Sequence, residues 1–524
     1  MWTLQKVLAY ADNVTEMGNS NIRFPLFPRN RAKHVLFSFS DMVAMQPTSN
    51  QQYIFRLFII KNKSARKERK VTLSSLETGY DPELQAIPQL VPVSESTVRG
   101  DGCFLQLNIT AFVKQYNRLP KKLVVTYTGP TIDFWPNDSR YSYFAPRIEI
   151  AVSVSRQATN RTQAELLAIL RKKDYKDVII YPPTIEWNVP LFQRPQQLMK
   201  FFANQNYLCI YVTANHQHDD YPLGFTRVND NLYIAYTSMD TFSVIPDPIV
   251  ILSWAMNISY LQALDNYFLV YDYIDDISIF HLYDQRMEAA HRYLLRNADL
   301  VVATAERLFK KAKKLRPDTI LCPNGVDFSL FSCADSQSVI PSELNDILAT
   351  GKKIVGYYGA LAEWVDYNLI RFLVEKRPDL QIVLIGIDYD GSLYRSGVTQ
   401  LENVAFLGHK LYSQLPNYLA CFDVAIIPFR INEITLGTNP IKMYEYMCAG
   451  KPVVTTNIPE CVKAPGVLVG KNKKHFVSMI DKALEIQNDT NYVQKLISFA
   501  RENTWDSRVK VISRLIEKKR RSHR

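Results

Sequence analysis

From Asp177 onward the chain carries two successive blocks of fully apolar runs, and helical segments separate the runs. The first block reads DVIIYPP, YLCIYVT, PIVILSW, YFLVYDY and LVVATA; the second reads KIVGYYGAL, QIVLIGI, VAFLGH, VAIIPF, KPVVTT and GVLVG. A run that is apolar at every position, rather than at alternate ones, belongs to a strand covered on both faces. Strands of that kind alternating with helices such as PQQLMKFFANQ and YDQRMEAAHRYLLRNA predict a parallel α/β sheet, formed twice. Open sheets of this class bind ligands outside the carboxyl ends of their strands. The residues directly after each run are therefore the ones to examine.

Up to about Ser155 the period is two instead. RIEIAVSVS places Ile148, Ile150, Val152 and Val154 on one face, and FLQLNIT does the same with Leu105, Leu107 and Ile109. Alternating strands broken by Pro, Gly, Asn and Asp predict an antiparallel sandwich. The expected organisation is multidomain: a β-sandwich over 1–155, a linker and helix over 156–175, and α/β halves over 176–335 and 336–524. A length of 524 residues accommodates all four pieces, and 47% hydrophobic with 22% charged residues is ordinary globular composition that rules out extended disorder.

The net charge is +11, with basic clusters at Lys61–Lys70 and Lys518–Arg524. These predict either solvated surface or attraction to an anionic polysaccharide or membrane face. Nucleic acid is not expected, because no recognition motif accompanies the charge. The seven cysteines form no CxxC pair, so a reducing compartment fits. The longest apolar stretch, Ile249–Met256, falls far short of the ~20 residues that span a bilayer. A cytoplasmic protein is expected, with peripheral association at the inner membrane face consistent with its charge.

The most informative motif is NPIKMYEYMCAGKPVV, Asn439 to Val454. Asn439 is a good N-cap, and Pro440 is a good first helical residue. Lys442 then falls in the first turn, where a cation opposes the helix dipole unless an anion lies nearby. A diphosphate at that helix end would resolve the conflict. Glu445, one turn on and on the same face, could accept hydrogen bonds from ribose hydroxyls; alternatively it pairs with Lys442 at i,i+3.

YEYMCAGKPVV, PNGVD (Pro323–Asp327), YYGALAEWVD (Tyr357–Asp366), FLGH with LPNYLACFDVAIIPF, and NTWDSRV resemble GT-B glycosyltransferases of the family 4 kind. FQRPQQL and YDYIDD resemble the subset of teichuronic acid and glucuronosyl-type transferases. The first 150 residues, with ADNVTEMGNSN, HVLFSFSDM, LNITAFVKQY and FAPRIEI, resemble DNRLRE-type carbohydrate-binding modules, in which Trp135 or Tyr141 could stack on sugars. The resemblance implies two Rossmann-like lobes facing a cleft. The donor would be a nucleoside diphosphate sugar, UDP ahead of GDP, with no separate cofactor or metal. It implies donor contacts by Gly359, Glu363, His409, Asn439, Ile441, Lys442 and Glu445. The chain departs from the family at two points. Two glutamates separated by seven residues would fall on Gly437 and Glu445, with Glu433 off register. The basic residue expected after the first strand of the C-terminal half is also absent from GALAEWVD. Retention of configuration is therefore not implied.

Glycosyl transfer needs stabilisation of the leaving diphosphate and, if the configuration inverts, a base for the acceptor hydroxyl. Asp272 and Asp275, in YDYIDD at the carboxyl end of an expected strand, are the candidate bases, and capping of the next helix is their alternative role. Arg194, just after the first strand of its half, either reaches an anionic substrate or is a surface arginine at a helix start. Asp388-Tyr389-Asp390 has the form of a metal-binding DxD but stands in a turn. His281, His291 and His409 do not share metal-ligand spacing. The expected activity is transfer of a hexosyl unit to a cell-surface polysaccharide or lipid-linked glycan. The rival expectation is a catalytically degenerate glycan-binding or scaffolding factor.

Overall fold

The computed structural model describes the chain in full from residue 158 to residue 521, apart from residues 173, 280–286 and 333–338. The expected N-terminal sandwich, with Trp135 and Tyr141, lies outside these residues, as does His281. The chain divides into two compact units. One comprises Met1–Ile169 with the excursions Ala214–Phe225 and Tyr236–Val244; the other comprises Leu170–Thr213, Thr226–Ala235 and Ile245–Arg524.

In the first unit, helix α1 (Arg156–Leu170) is held to the two excursions by side-chain polar contacts. The Thr162 and Thr241 hydroxyls lie 2.9 Å apart, and the Gln163 amide donates to the Asp240 carbonyl at 3.1 Å.

The second unit contains two parallel sheets. The strands of the first are β1 (Val178–Tyr181), β2 (Leu208–Val212), β3 (Leu232–Tyr236), β4 (Ile249–Leu252), β5 (Phe268–Tyr273), β6 (Leu300–Ala303) and β7 (Ile320–Leu321). They lie in the order β3-β2-β1-β4-β5-β6-β7, every pairing among them parallel, and an eighth strand, Gly224–Arg227, lies beside β3 at the edge of the sheet. The strands of the second are β8 (Lys353–Tyr358), β9 (Leu380–Ile385), β10 (Val404–Phe406), β11 (Val424–Ile427), β12 (Val453–Thr456) and β13 (Leu468–Gly470), in the order β10-β9-β8-β11-β12-β13. Both orders begin 3-2-1-4-5-6, that of the Rossmann fold. Strands β1, β2, β4, β5 and β6 are buried along their whole length. This is why their sequences show no alternation.

In each half the strand order reverses between the first and fourth strands, which places a ligand crevice at that point. In the first half it follows β1 and β4; in the second it follows β8 and β11. The chain crosses between the halves at 323–327 and again near Thr504, where the amide of Val326 donates to the Asn503 carbonyl and that of Trp505 to the Val326 carbonyl. Gly325 is required there, because a Cβ would come within 2.7 Å of the Thr504 backbone. Helix α2 (Arg194–Asn204) follows β1 and packs against the last helix of the chain, Trp505–His523. No helix among the described residues is long and apolar enough to cross a membrane.

Candidate functional site

The crevice of the C-terminal half is built on helix α3 (Ile441–Cys448). Asn439 was expected to cap this helix; instead Pro440 occupies the cap position with no side-chain cap bond. The reason is a competing partner. The Asn439 Oδ1 accepts from the amide of Asn324 at 2.9 Å, its Nδ2 donates to the Tyr444 hydroxyl at 3.1 Å, and its carbonyl accepts from Asn324 Nδ2 at 2.7 Å. Asn439 thus ties the helix to the junction between the halves. The amides of Ile441 and Lys442 have no hydrogen-bond partner among the described residues, leaving open donors at a helix amino end.

Lys442 lies at the reversal point. Its Nζ sits 5.3 Å from the ring centre of Tyr357, in β8, and 5.1 Å from that of Phe429, just after β11. It packs so closely on Gly359 that a Cβ there would lie 3.1 Å from Nζ and 2.9 Å from Cε. Gly359 has φ +137°, so only glycine is at ease in that turn. Withdrawal from water pulls the Lys442 ammonium down to about 8, against the attraction of Glu445. It forms no ion pair among the described residues, and the i,i+3 pairing with Glu445 is not made.

Glu445 is 3% exposed and accepts instead from the Tyr412 hydroxyl at 2.9 Å. Burial pushes its carboxyl up to about 7, against the effect of that bond. The Tyr412 ring stacks on Phe192 of the N-terminal half, centres 5.2 Å apart and planes at 25°. Beside it, a ring nitrogen of His409 lies 2.7 Å from the Pro190 carbonyl. The loop 407–412 is therefore joined to the loop before α2.

Arg194 and Asp272 face each other. The Arg194 Nε lies 2.9 Å from one Asp272 oxygen and its Nη2 2.9 Å from the other, while Nη1 donates to Asn324 Oδ1 at 3.2 Å. Arg194 is 3% and Asp272 1% exposed. Both oxygens of the Asp272 carboxylate are taken up by the guanidinium, so the two form a buried pair inside the protein. Asp275 has no hydrogen-bond or ion-pair partner among the described residues. It is open to water yet ringed by protein, and that desolvation pushes its carboxyl up to about 6, with Asp272 and Asp276 adding. For Asp276, burial works upward but bonds from Lys311 and Ser278 prevail and hold it below the usual range.

The acids and loops of the two halves meet here. A Cβ at Gly437 would stand 3.9 Å from Asp276 Cβ. Glu433 pairs with Arg307 of the N-terminal half. Glu363 is exposed in the loop after β8, and its amide donates to Asp390. Asp388 accepts from the amides of Leu393 and Tyr394, and Asp390 from that of Ser392, so the DxD acids hold a turn. His291 is buried against the Tyr271 hydroxyl at 2.7 Å. Tyr412 and Asn324 carry site geometry that sequence reasoning missed; only their places in FLGHKLY and PNGVD hinted at it.

Residues 352–486 match the family described as glycosyl transferases group 1. The chain is 25% identical over 233 residues to the "Putative teichuronic acid biosynthesis glycosyltransferase TuaH" of Bacillus subtilis (strain 168). That match takes in 42% of this chain and 57% of the relative, so the chain covers little more than half of that protein's length. Among solved structures, the sucrose-phosphate synthase of Thermosynechococcus elongatus superposes with a TM-score of 0.51 at 15% identity, covering 66% of this chain and 99% of that one. A UDP-forming α,α-trehalose-phosphate synthase of Burkholderia xenovorans superposes with 0.51 at 10% identity, covering 65% and 99%. At these identities the likeness is one of fold, the two-lobed Rossmann-like GT-B architecture.

Proposed function

We propose that this chain is a glycosyltransferase that moves a hexosyl unit from a nucleoside diphosphate sugar to a cell-surface polysaccharide or lipid-linked glycan. The observation that carries the reading is Lys442: an unpaired ammonium, beside two open helix amides, at the strand-order reversal. A cation placed against a helix dipole calls for an anion, and a diphosphate supplies it. The group 1 match over the same residues supports the reading, and the UDP-forming neighbour favours UDP over GDP. The relative's link to teichuronic acid biosynthesis, together with the +11 charge, favours an anionic or membrane-borne acceptor.

In this reading Asp275 accepts the proton of the acceptor hydroxyl. The acceptor oxygen forms a bond to the anomeric carbon. The bond from that carbon to the phosphate oxygen breaks, and its electron pair leaves with the diphosphate. Lys442 and the Ile441 and Lys442 amides meet the developing charge without moving. A single displacement of this kind inverts the anomeric configuration. Glu445 sits one turn from Lys442, where a ribose would lie.

A panel of UDP- and GDP-sugars, scored for thermal shift and for donor hydrolysis, tests the proposal. Ligand at 100 times Kd stabilises a protein by about 2.7 kcal/mol, a readily visible shift. The proposal expects a shift with UDP and hydrolysis of a UDP-sugar. No shift with any nucleotide would overturn it. A shift without turnover, with or without acceptor, would point to the glycan-binding or scaffolding role.

A further inference from the structure

Helix α2 carries a buried polar side chain that takes no part in the displacement. Gln197 is 0% exposed, and neither Oε1 nor Nε2 of its amide has a hydrogen-bond partner among the described residues. Its neighbour Gln196 is equally buried but donates to the Glu186 carbonyl at 3.2 Å and accepts from the Gln193 amide at 3.2 Å. The want of partners thus separates Gln197 from its neighbour on the helix. Across the seam, the Tyr358 hydroxyl at the end of β8 is also buried without a hydrogen-bond partner among the described residues. An unsatisfied buried polar group is destabilising, and native structures retain few of them without a function.

Both groups border the same spot. The Gln197 amide lies beside the Tyr412 phenol, and the Tyr358 phenol lies beside the Glu445 carboxylate, neither at hydrogen-bonding geometry. An amide, two phenols and a carboxyl, drawn from both halves, converge around the Tyr412–Glu445 bond. Together they offer several donors and acceptors but little fixed positive charge. That composition suits neighbouring hydroxyls and not a phosphate, which Lys442 serves one turn away on the same helix face.

Building on the donor reading above, we infer that Gln197 and Tyr358 are specificity-determining residues that read the ribose diol of the nucleoside diphosphate donor. Glu445 joins them, and Tyr412 yields its bond to Glu445 as the diol binds. Ribose recognition in this arrangement draws on the N-terminal half, so donor binding also fastens the two halves together.

The test uses the full chain with UDP and 2′-deoxy-UDP as probes, comparing Gln197→Met, Tyr358→Phe and Lys442→Ala by calorimetry and thermal unfolding. Methionine nearly matches glutamine in shape and removes only the unsatisfied amide. Gln197→Met should therefore leave Tm unchanged or raised, yet weaken UDP about threefold to tenfold, as loss of one or two net hydrogen bonds would. Its preference for UDP over 2′-deoxy-UDP should shrink, and Tyr358→Phe should behave alike. Unchanged UDP affinity and unchanged discrimination in both variants would overturn the inference, as would a fall in Tm that accounts for the lost affinity. Lys442→Ala separates the two levels. If it alone loses UDP, the diol inference fails and the donor reading stands; if none of the variants loses UDP, both fail.

Discussion

The guanidinium of Arg194 and the carboxylate of Asp272 neutralise one another inside the protein, Nε and Nη2 each 2.9 Å from a carboxylate oxygen. The pair joins the start of α2 to the end of β5, and Arg194 extends it to Asn324 at the crossing between the halves. Removing one partner of a buried pair leaves an uncompensated charge, at about 3–5 kcal/mol. Asp272→Asn should therefore lose stability of that order in denaturant unfolding. Asp275→Asn, which breaks no bond among the described residues, should unfold like the native chain. Equal stabilities for all three proteins would show that the pair does not hold the fold together.

Asp275 carries a pH signature. A base must be deprotonated to act, and the Asp275 carboxyl is pushed up to about 6. The turnover rate should rise with pH through about 6 and then level off. Asp275→Asn should lose that limb together with ~10²–10⁴-fold of the rate. A variant that keeps both rate and limb would remove Asp275 from the chemistry.

Gly359 should be intolerant of even one methyl group. Alanine there meets φ +137° and puts Cβ within 3.1 Å of the Lys442 ammonium. The expected result of Gly359→Ala is weaker UDP binding, because Lys442 must move, alongside a modest loss of stability from the strained turn. Calorimetric titration beside thermal unfolding separates the two effects. Native UDP affinity in this variant would show that the position of Lys442 is not tied to Gly359.

The sheets were legible in the sequence because β1, β2, β4, β5 and β6 are covered on both faces, and burial of every residue leaves an uninterrupted apolar run. The positions of Lys442 and Glu445 followed from helix periodicity. What escaped was long-range. Arg194 and Asp272 stand 78 residues apart in sequence, and Asn439 and Asn324 stand 115 apart, so no local pattern announces either contact. Asn439 has the chemistry of a cap, but a cap and a tether look alike in one dimension. The contact of Tyr412 with Glu445 depends on how loop 407–412 turns back over α3, which no propensity records.

The most direct test of the central claim is UDP affinity between pH 7 and pH 9.5, in native protein and in Lys442→Ala. Burial lowers the Lys442 ammonium to about 8, so below that pH the charge is present and above it the proton is lost. Bound diphosphate favours the protonated form. Native affinity should therefore be full at pH 7 and fall as the pH passes 8, with proton uptake on binding at pH 8 to 9. Lys442→Ala should bind UDP weakly at every pH and show no such fall. An affinity that is flat across this range, or equal in the two proteins, would contradict a diphosphate seated on Lys442.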